Sequence, residues 1–189
     1  MARVIAAVGP PRFRPPAESS FAALVRSIVF QQLAGPAAAA IHGRFVANFA
    51  DGFTAEAALA LPDTAFRTAG LSASKTASIR DLAAKVADGT VPLEEIELRS
   101  DDEIVERLSL VRGIGRWTAE MFLIFQLRRP DVWPVDDLAV RKGYAVAHRL
   151  PVPPTPKELQ ALGDAFRPFR TVAAWYCWRA TDTVLPESS

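Results

Sequence analysis

Two glycines one residue apart, Gly113 and Gly115, lie between two stretches of helical periodicity, and they restrict this part of the chain to a pair of helices joined by a tight turn. Asp101-Asp102-Glu103-Ile104-Val105-Glu106-Arg107-Leu108 reads as an amphipathic helix, with acids in its first turn facing the positive end of the macrodipole. From Gly115 the pattern resumes as Trp117, Ala119, Met121, Phe122, Ile124, Phe125 and Leu127, apolar all round and so central rather than on the surface. Glycine tolerates positive φ and the close approach of another backbone. The amides that open the second helix have no partner inside it, so a nucleic-acid phosphate fits there. From glycine spacing alone, an ordinary helical hairpin with a glycine cap is the alternative.

The rest of the chain repeats the theme: helices punctuated by proline and glycine, with no alternating strand pattern. Gly9–Pro16 is extended or looped. Helices are expected from Phe21 until the pattern breaks at Gln31-Gln32, over 36–49 with Pro36 at the start, around 55–61 and 63–69, and from 72 to 87 behind the Gly70-Leu71-Ser72 break. Further helices follow the acidic pair at 136–148 and the Thr155-Pro156-Lys157-Glu158 capping box at 156 to about 166, and another covers the Trp-rich stretch ending near Arg179. The fold class is therefore all-α. The chain has 189 residues, enough for one compact domain or two small lobes. One cysteine, Cys177, excludes a disulfide framework and a four-cysteine iron–sulfur cluster. His42 and His148 are too isolated for a transition-metal site. No apolar run is long enough to span a bilayer and no secretory leader is evident, so an intracellular, cytoplasmic protein without membrane contact is expected. A formal net charge of +1 does not advertise nucleic-acid binding; any affinity for DNA must come from a local face and from backbone amides.

Downstream of the hairpin stands Trp133-Pro134-Val135-Asp136-Asp137-Leu138. Together, Leu110-Val111-Arg112-Gly113-Ile114-Gly115-Arg116-Trp117-Thr118-Ala119 and Pro134-Val135-Asp136-Asp137-Leu138-Ala139-Val140-Arg141-Lys142 resemble the helix-hairpin-helix DNA glycosylase superfamily, most closely its 3-methyladenine DNA glycosylase II branch. The likeness runs from about Phe21 to Trp178. It implies one helical glycosylase domain whose two lobes flank a base-binding cleft, with central helices about 36–130 in one lobe, both chain ends in the other, and the hairpin motif at 101–128. The N-terminal β-rich domain of better-known members is not expected.

The resemblance assigns roles. Val111, Arg112, Gly113, Ile114, Gly115, Arg116 and Thr118 form the DNA-binding hairpin, and the carbonyls of Ser109, Val111 and Gly113 hold a monovalent cation, Na⁺ or K⁺, when DNA is bound; no other cofactor is implied. Asp137 matches the catalytic aspartate, with Asp136 as backup. An aspartate before an apolar helical run is also a common N-cap, and that role is assigned to Asp136. A fixed anion beside the deoxyribose C1′ stabilises the oxocarbenium character of glycosidic-bond cleavage and can orient the attacking water. Where bifunctional relatives carry a Schiff-base lysine, this chain has Trp117, which implies release by water without strand cleavage. Trp117, Trp178, Met121, Leu138 and Phe30 are expected at the base pocket, where an indole suits the cationic alkylated purine. As Met121 and Leu138 replace family aromatics, the pocket should favour 3-methyladenine over bulky adducts. At the end of the Phe21 helix, Gln32 or Leu33 is the candidate wedge that fills the gap left by a flipped base; glutamines simply bonding the helix end are the alternative. Arg167 and Arg170 could meet phosphates or stand in solvent, and Trp175 reads as core.

The expected function is thus a monofunctional base-excision glycosylase for alkylated purines, acting as a monomer on damaged double-stranded DNA. Two other readings keep the scaffold: a glycosylase for uracil, mismatched thymine or oxidised purine, and a non-catalytic hairpin module that holds DNA.

Overall fold

The computed structural model describes residues 1–50 and 52–183, and all regular structure among them is helical. The chain divides into two compact units, one from Pro16 to Phe122, the other made of Met1–Pro15 together with Leu123 onward.

The Pro16–Phe122 unit contains α2 (Ser20–Phe30), α3 (Gly35–Val46), α4 (Ala55–Ala60), α5 (Asp63–Ala69), α6 (Ala73–Ala87) and α7 (Asp101–Ser109), and it ends inside α8 (Arg116–Phe125). Side chains fix most helix starts. Ser19, Thr54 and Ser72 accept amide hydrogen bonds at the heads of α2, α4 and α6, each cap contributing about 1 kcal/mol. Ser100 and Glu103 form a capping box on α7 that sequence reading left out. The apolar stripe of α2 (Leu24, Val25, Ile28, Val29) packs on α3 and α6, so this helix belongs with the central ones rather than with the chain ends. An aromatic cluster of Phe21, Phe45, Phe49, Phe53 and Phe66 fills the space beyond α3.

The other unit holds α1 (Ala2–Val8), α9 (Leu138–His148), α10 (Pro156–Leu162) and α11 (Arg170–Asp182). Its core is the α9–α11 pair, pressed so close at Gly143 that a Cβ there would lie 1.8 Å from the Cys177 carbonyl oxygen. Trp133, Val140, Tyr144, Leu159 and Ala174 complete that core, and the Trp133 indole donates to the Leu159 carbonyl at 2.8 Å. Helix α1 was not expected. Its seven residues are too few to persist alone, and it survives because Val4 is wholly buried in a cluster with Ala147, Tyr176 and Ala180. The expected 156–166 helix is α-helical only to Leu162; Gly163–Phe166 tightens into a 3₁₀ turn where Gly163 lets the Trp133 ring lie against the backbone.

Candidate active site

The turn after α7 brings the glycines to the positions where they are needed. Gly113 has φ +78°, and a Cβ there would come within 2.8 Å of the Ser78 hydroxyl, so both the left-handed backbone and the close packing demand glycine. Val111 and Ile114 are buried, and the Ile114 amide closes the turn on the Val111 carbonyl at 3.0 Å. Of these two expected DNA-binding residues, only backbone can face a ligand. The Arg112 amide is spoken for: it donates to Asp81 Oδ2 at 2.7 Å, while Asp81 Oδ1 takes the Lys85 ammonium at 2.5 Å. Burial raises the Asp81 carboxyl, but the Arg112 amide and the Lys85 ammonium outweigh it and hold the group below the usual carboxylate range. The amides left without an acceptor by helix geometry are therefore those from Gly115 into the first turn of α8. Arg116, also expected on the hairpin, is largely exposed but bonds through Nε to the buried Glu120 at 3.1 Å.

Beside the hairpin opens a cavity of about 560 Å³, lined by Ser27, Phe30, Gln31, Gln32, Gly113, Trp117, Thr118 and Met121. Three of the expected pocket residues, Phe30, Trp117 and Met121, thus meet at one cavity. The Trp117 side of it is open, with that residue 47 % exposed, so it is no core tryptophan. Thr118 is buried and turned to the cavity wall, because it sits on the inner face of α8, rather than on the hairpin's outer surface. Phe30 is braced on both sides: the Arg26 guanidinium lies 4.7 Å from its centroid and the His42 ring meets it edge-on at 6.2 Å. Burial lowers the His42 pKa, and its Nε2 is buried without a hydrogen-bond partner, so the imidazole is neutral at physiological pH. Past Phe30 the chain turns through Gln32, at φ +56°, to Leu33, the two residues expected at the wedge, and both are exposed. Gln31 does what was not expected of it: its amide donates to the Gly113 carbonyl at 2.8 Å and ties this turn to the hairpin.

In the other unit, the acidic pair is the reverse of the expected arrangement for capping. Asp137, not Asp136, is the N-cap of α9: its Oδ1 accepts from the Val140 amide at 2.9 Å, and the residue is 8 % exposed. Asp136 is exposed. The reason is phase, since the cap must lie three residues before an amide of the first turn and Val140 is the buried residue that sets the helix rotation. Capping holds the Asp137 carboxylate in one place. Leu138 beside it is 52 % exposed, and Trp178 is half-buried and stacked on Phe125, with centroids 5.7 Å apart and planes at 27°. Trp175 is only half-buried, tilted against Phe13. The Arg167 side chain is half exposed and that of Arg170 mostly buried. Both pair with Asp131, at 2.9 and 2.7 Å, and Arg170 also bonds the Asp131 carbonyl.

Residues 25–168 match the HhH-GPD superfamily of base excision DNA repair proteins. The chain belongs to that superfamily. Within it, the sequence is similar to DNA-3-methyladenine glycosylase 1 of Schizosaccharomyces pombe, 42 % identical over 161 residues that make up 84 % of this chain and 71 % of the relative. The fold is similar to the solved structure of the S. pombe 3-methyladenine DNA glycosylase in complex with abasic DNA, with a TM-score of 0.81, 38 % identity and 96 % and 91 % of the two chains covered. It is similar also to the crystal structure of a DNA-3-methyladenine glycosidase from Bacillus halodurans, with a TM-score of 0.84, 32 % identity, and 96 % and 88 % coverage.

For this HhH-GPD chain, sequence reading missed the residues that hold the site's parts together. Asp81 and Lys75 on α6 and Gln31 just after α2 bond to backbone at positions 31 to 82 residues away, and no local pattern announces such a contact. The lysine also bonds the Val29 carbonyl.

Proposed function

We propose that this chain is a monofunctional DNA glycosylase that hydrolyses the N-glycosidic bond of alkylated purines, of the 3-methyladenine type, after the base leaves the helix. The observation that carries the reading is the cavity. It is apolar and aromatic, open at an exposed indole, set against the hairpin, and no amine lines it. A cationic methylated purine gains about 0.5–2 kcal/mol over a tryptophan face. Without a lysine in the pocket there is no nucleophile for a Schiff base, so water is the attacking group.

The chemistry needs little from the protein. As the C1′–N bond breaks, its electron pair leaves with the base and cancels the positive charge of the alkylated ring, so no acid has to protonate the leaving group. What must be stabilised is the positive charge growing on the sugar. Asp137 is assigned that task, with Asp136 as its substitute: a buried carboxylate beside the sugar, held by its cap bond, stabilises the transition state more than the ground state, in which the sugar carries no charge. The same group receives or directs the proton that water gives up on attack. Trp117, Met121 and Phe30 wall the base, with Trp178 and Leu138 assigned to the same pocket, and Gln32 or Leu33 fills the vacated stack. The α8 amides grip a phosphate of the damaged strand. The carbonyls of Ser109, Val111 and Gly113 would hold a monovalent cation next to it; those of Val111 and Gly113 each accept one hydrogen bond and keep a second lone pair for a metal.

The partner is DNA, read here as a damaged duplex met by a single protein chain. No helix among the described residues is long and apolar enough to cross a membrane, and a genomic substrate puts the work in the compartment that holds the chromosome. The test is a methylated duplex incubated with the protein and run on a denaturing gel with and without alkali. Free methylated base with strand breaks only after alkali is the expected result; breaks before alkali refute hydrolysis without lyase action, and no base release refutes the enzyme. Since Met121 gives the cavity a less electron-rich wall than an aromatic would, 3-methyladenine should leave faster than ethenoadenine or neutral hypoxanthine, and a preference for hypoxanthine overturns the lesion assignment.

A further inference from the structure

Helix α6 carries no group expected to touch a substrate, yet one side of it is bonded to both DNA-facing parts of its unit. Lys75 donates to the carbonyls of Val29, at 2.5 Å, and Gln31, at 2.9 Å, at the C-terminal end of α2. One turn on, the buried Ser78 supports Gly113, and a further turn on Asp81 takes the Arg112 amide. The Gln31 side chain closes the circuit by donating to the Gly113 carbonyl.

The lysine is a costly choice for this place. The last carbonyls of a helix carry negative partial charge and attract a cation, but water serves an exposed helix end equally well. Here the lysine residue is half-buried, and desolvation lowers its pKa. Its two bonds straddle Phe30, and the second holds the carbonyl of Gln31, whose peptide leads into Gln32, a non-glycine held at φ +56°. Such a backbone persists only where its surroundings over-determine it.

We infer that Lys75 is a positioning residue for base extrusion, holding the end of α2 so that the Gln32-Leu33 turn and the hairpin meet DNA as one body. The inference rests on the glycosylase reading and on the wedge assigned to that turn. Lys75 touches neither base nor sugar; it acts through the turn. Its loss therefore affects substrates in proportion to how much unstacking they demand.

The experiment compares single-turnover base release from a 3-methyladenine duplex with release from the same strand carrying the lesion in a one-nucleotide bulge, where pairing is already lost. Wild type, Lys75→Met and Lys75→Arg are each checked for fold by circular dichroism and melting. Lys75→Met should lose roughly 10- to 100-fold on the duplex, as a misplacement of about 1 Å does in other sites, lose much less on the bulge, and fail to raise the fluorescence of a 2-aminopurine beside the lesion. Lys75→Arg should restore most of the duplex rate. An equal deficit on both substrates, or none on the duplex, overturns the inference. Should Lys75→Met not fold, Lys75→Gln, which keeps one donor with shorter reach, is judged by the same comparison. Failure of the wild type on both substrates would instead sink the glycosylase reading, so the two failures are distinct.

Discussion

Asp137 has two duties, a helix cap seen in the structure and a catalytic charge assigned to it, and substitutions can separate them. Its Oδ1 bonds the Val140 amide at 2.9 Å in a site 8 % exposed. Asn keeps an oxygen of the same reach and caps as well as Asp, whereas Ala removes the acceptor at a cost of about 1 kcal/mol, within a range of about 0.5–2. For a domain of this size, about 1 kcal/mol lowers the melting temperature by roughly 2–4 °C. Asp137→Ala should therefore melt a few degrees below wild type and Asp137→Asn within about a degree of it. Catalysis should divide differently. Neither variant has an anion to set against the sugar cation, so single-turnover release of 3-methyladenine should fall on the order of 10²- to 10³-fold in both, the scale seen when one preorganised electrostatic partner is removed. Calorimetry and timed quench assays on the same preparations give the two columns. Wild-type release by Asp137→Asn would refute the catalytic assignment, and the Asp136→Asn variant would then show whether the neighbouring acid holds the role. Equal melting of Asn and Ala variants would refute the cap.

Three further outcomes follow from the packing and charge. Gly143→Ala places a methyl 1.8 Å from the Cys177 carbonyl oxygen, so α9 and α11 must part by roughly 1.5 Å or more, at a cost of about 1–3 kcal/mol read by urea denaturation; an unchanged midpoint refutes the close packing. Burial raises the Asp131 carboxyl, but the bonds from Arg170 and the charges of Arg170 and Arg167 outweigh it and hold it below its ordinary 3.8. A folded pKa below the unfolded one means stability that is whole above about pH 4 and lost as pH falls through the folded value. Asp131→Asn should cost roughly 1.5–3 kcal/mol at neutral pH, and its gap from wild type should close in acid; a gap constant from pH 7 to pH 2 refutes the linkage. With Arg112 and Arg116 as the cationic side chains at the hairpin, log affinity for DNA should fall with log salt at a slope of about −2, and a slope steeper than about −5 would show that phosphates are neutralised over a far wider face.

The fold was readable wherever the signal was local. Thr155 and Glu158, Ser72 before α6, and the Gly113 turn are each written within four residues, and each appears where expected. The box of Ser100 and Glu103 obeys the same rule and was equally readable. What did not read was decided at a distance. Helix α1 exists because of Val4's neighbours in α9 and α11, and the Arg167 and Arg170 guanidinia are directed by an aspartate more than thirty residues earlier. For the acidic pair the ambiguity was a single residue of helix phase, which neither side chain betrays, and the burial of Val140 settles it. In the site, Phe30, Trp117 and Met121 came from the family pattern, while the bonds from Gln31, Lys75 and Asp81 join segments whose spacing encodes nothing.

That division explains how a chain with a net charge of +1 can be built to hold DNA. The hairpin spends its apolar side chains, Val111 and Ile114, on the core, and one of its amides on Asp81. What it presents outward is the opening turn of α8, whose amides attract a phosphate without any formal charge. Trp117 stands in that same turn, one residue after Arg116. At about 1.5 Å of rise per residue, the anchor proposed for the strand and the wall proposed for its base are fixed to each other by helix geometry, not by flexible side chains. A strand gripped there brings its nucleotide to the cavity in a set register, so the energy of phosphate binding is available to offset unstacking. In the catalytic role proposed for it, the Asp137 carboxylate then needs only to be held still, and a helix cap is a means of holding it.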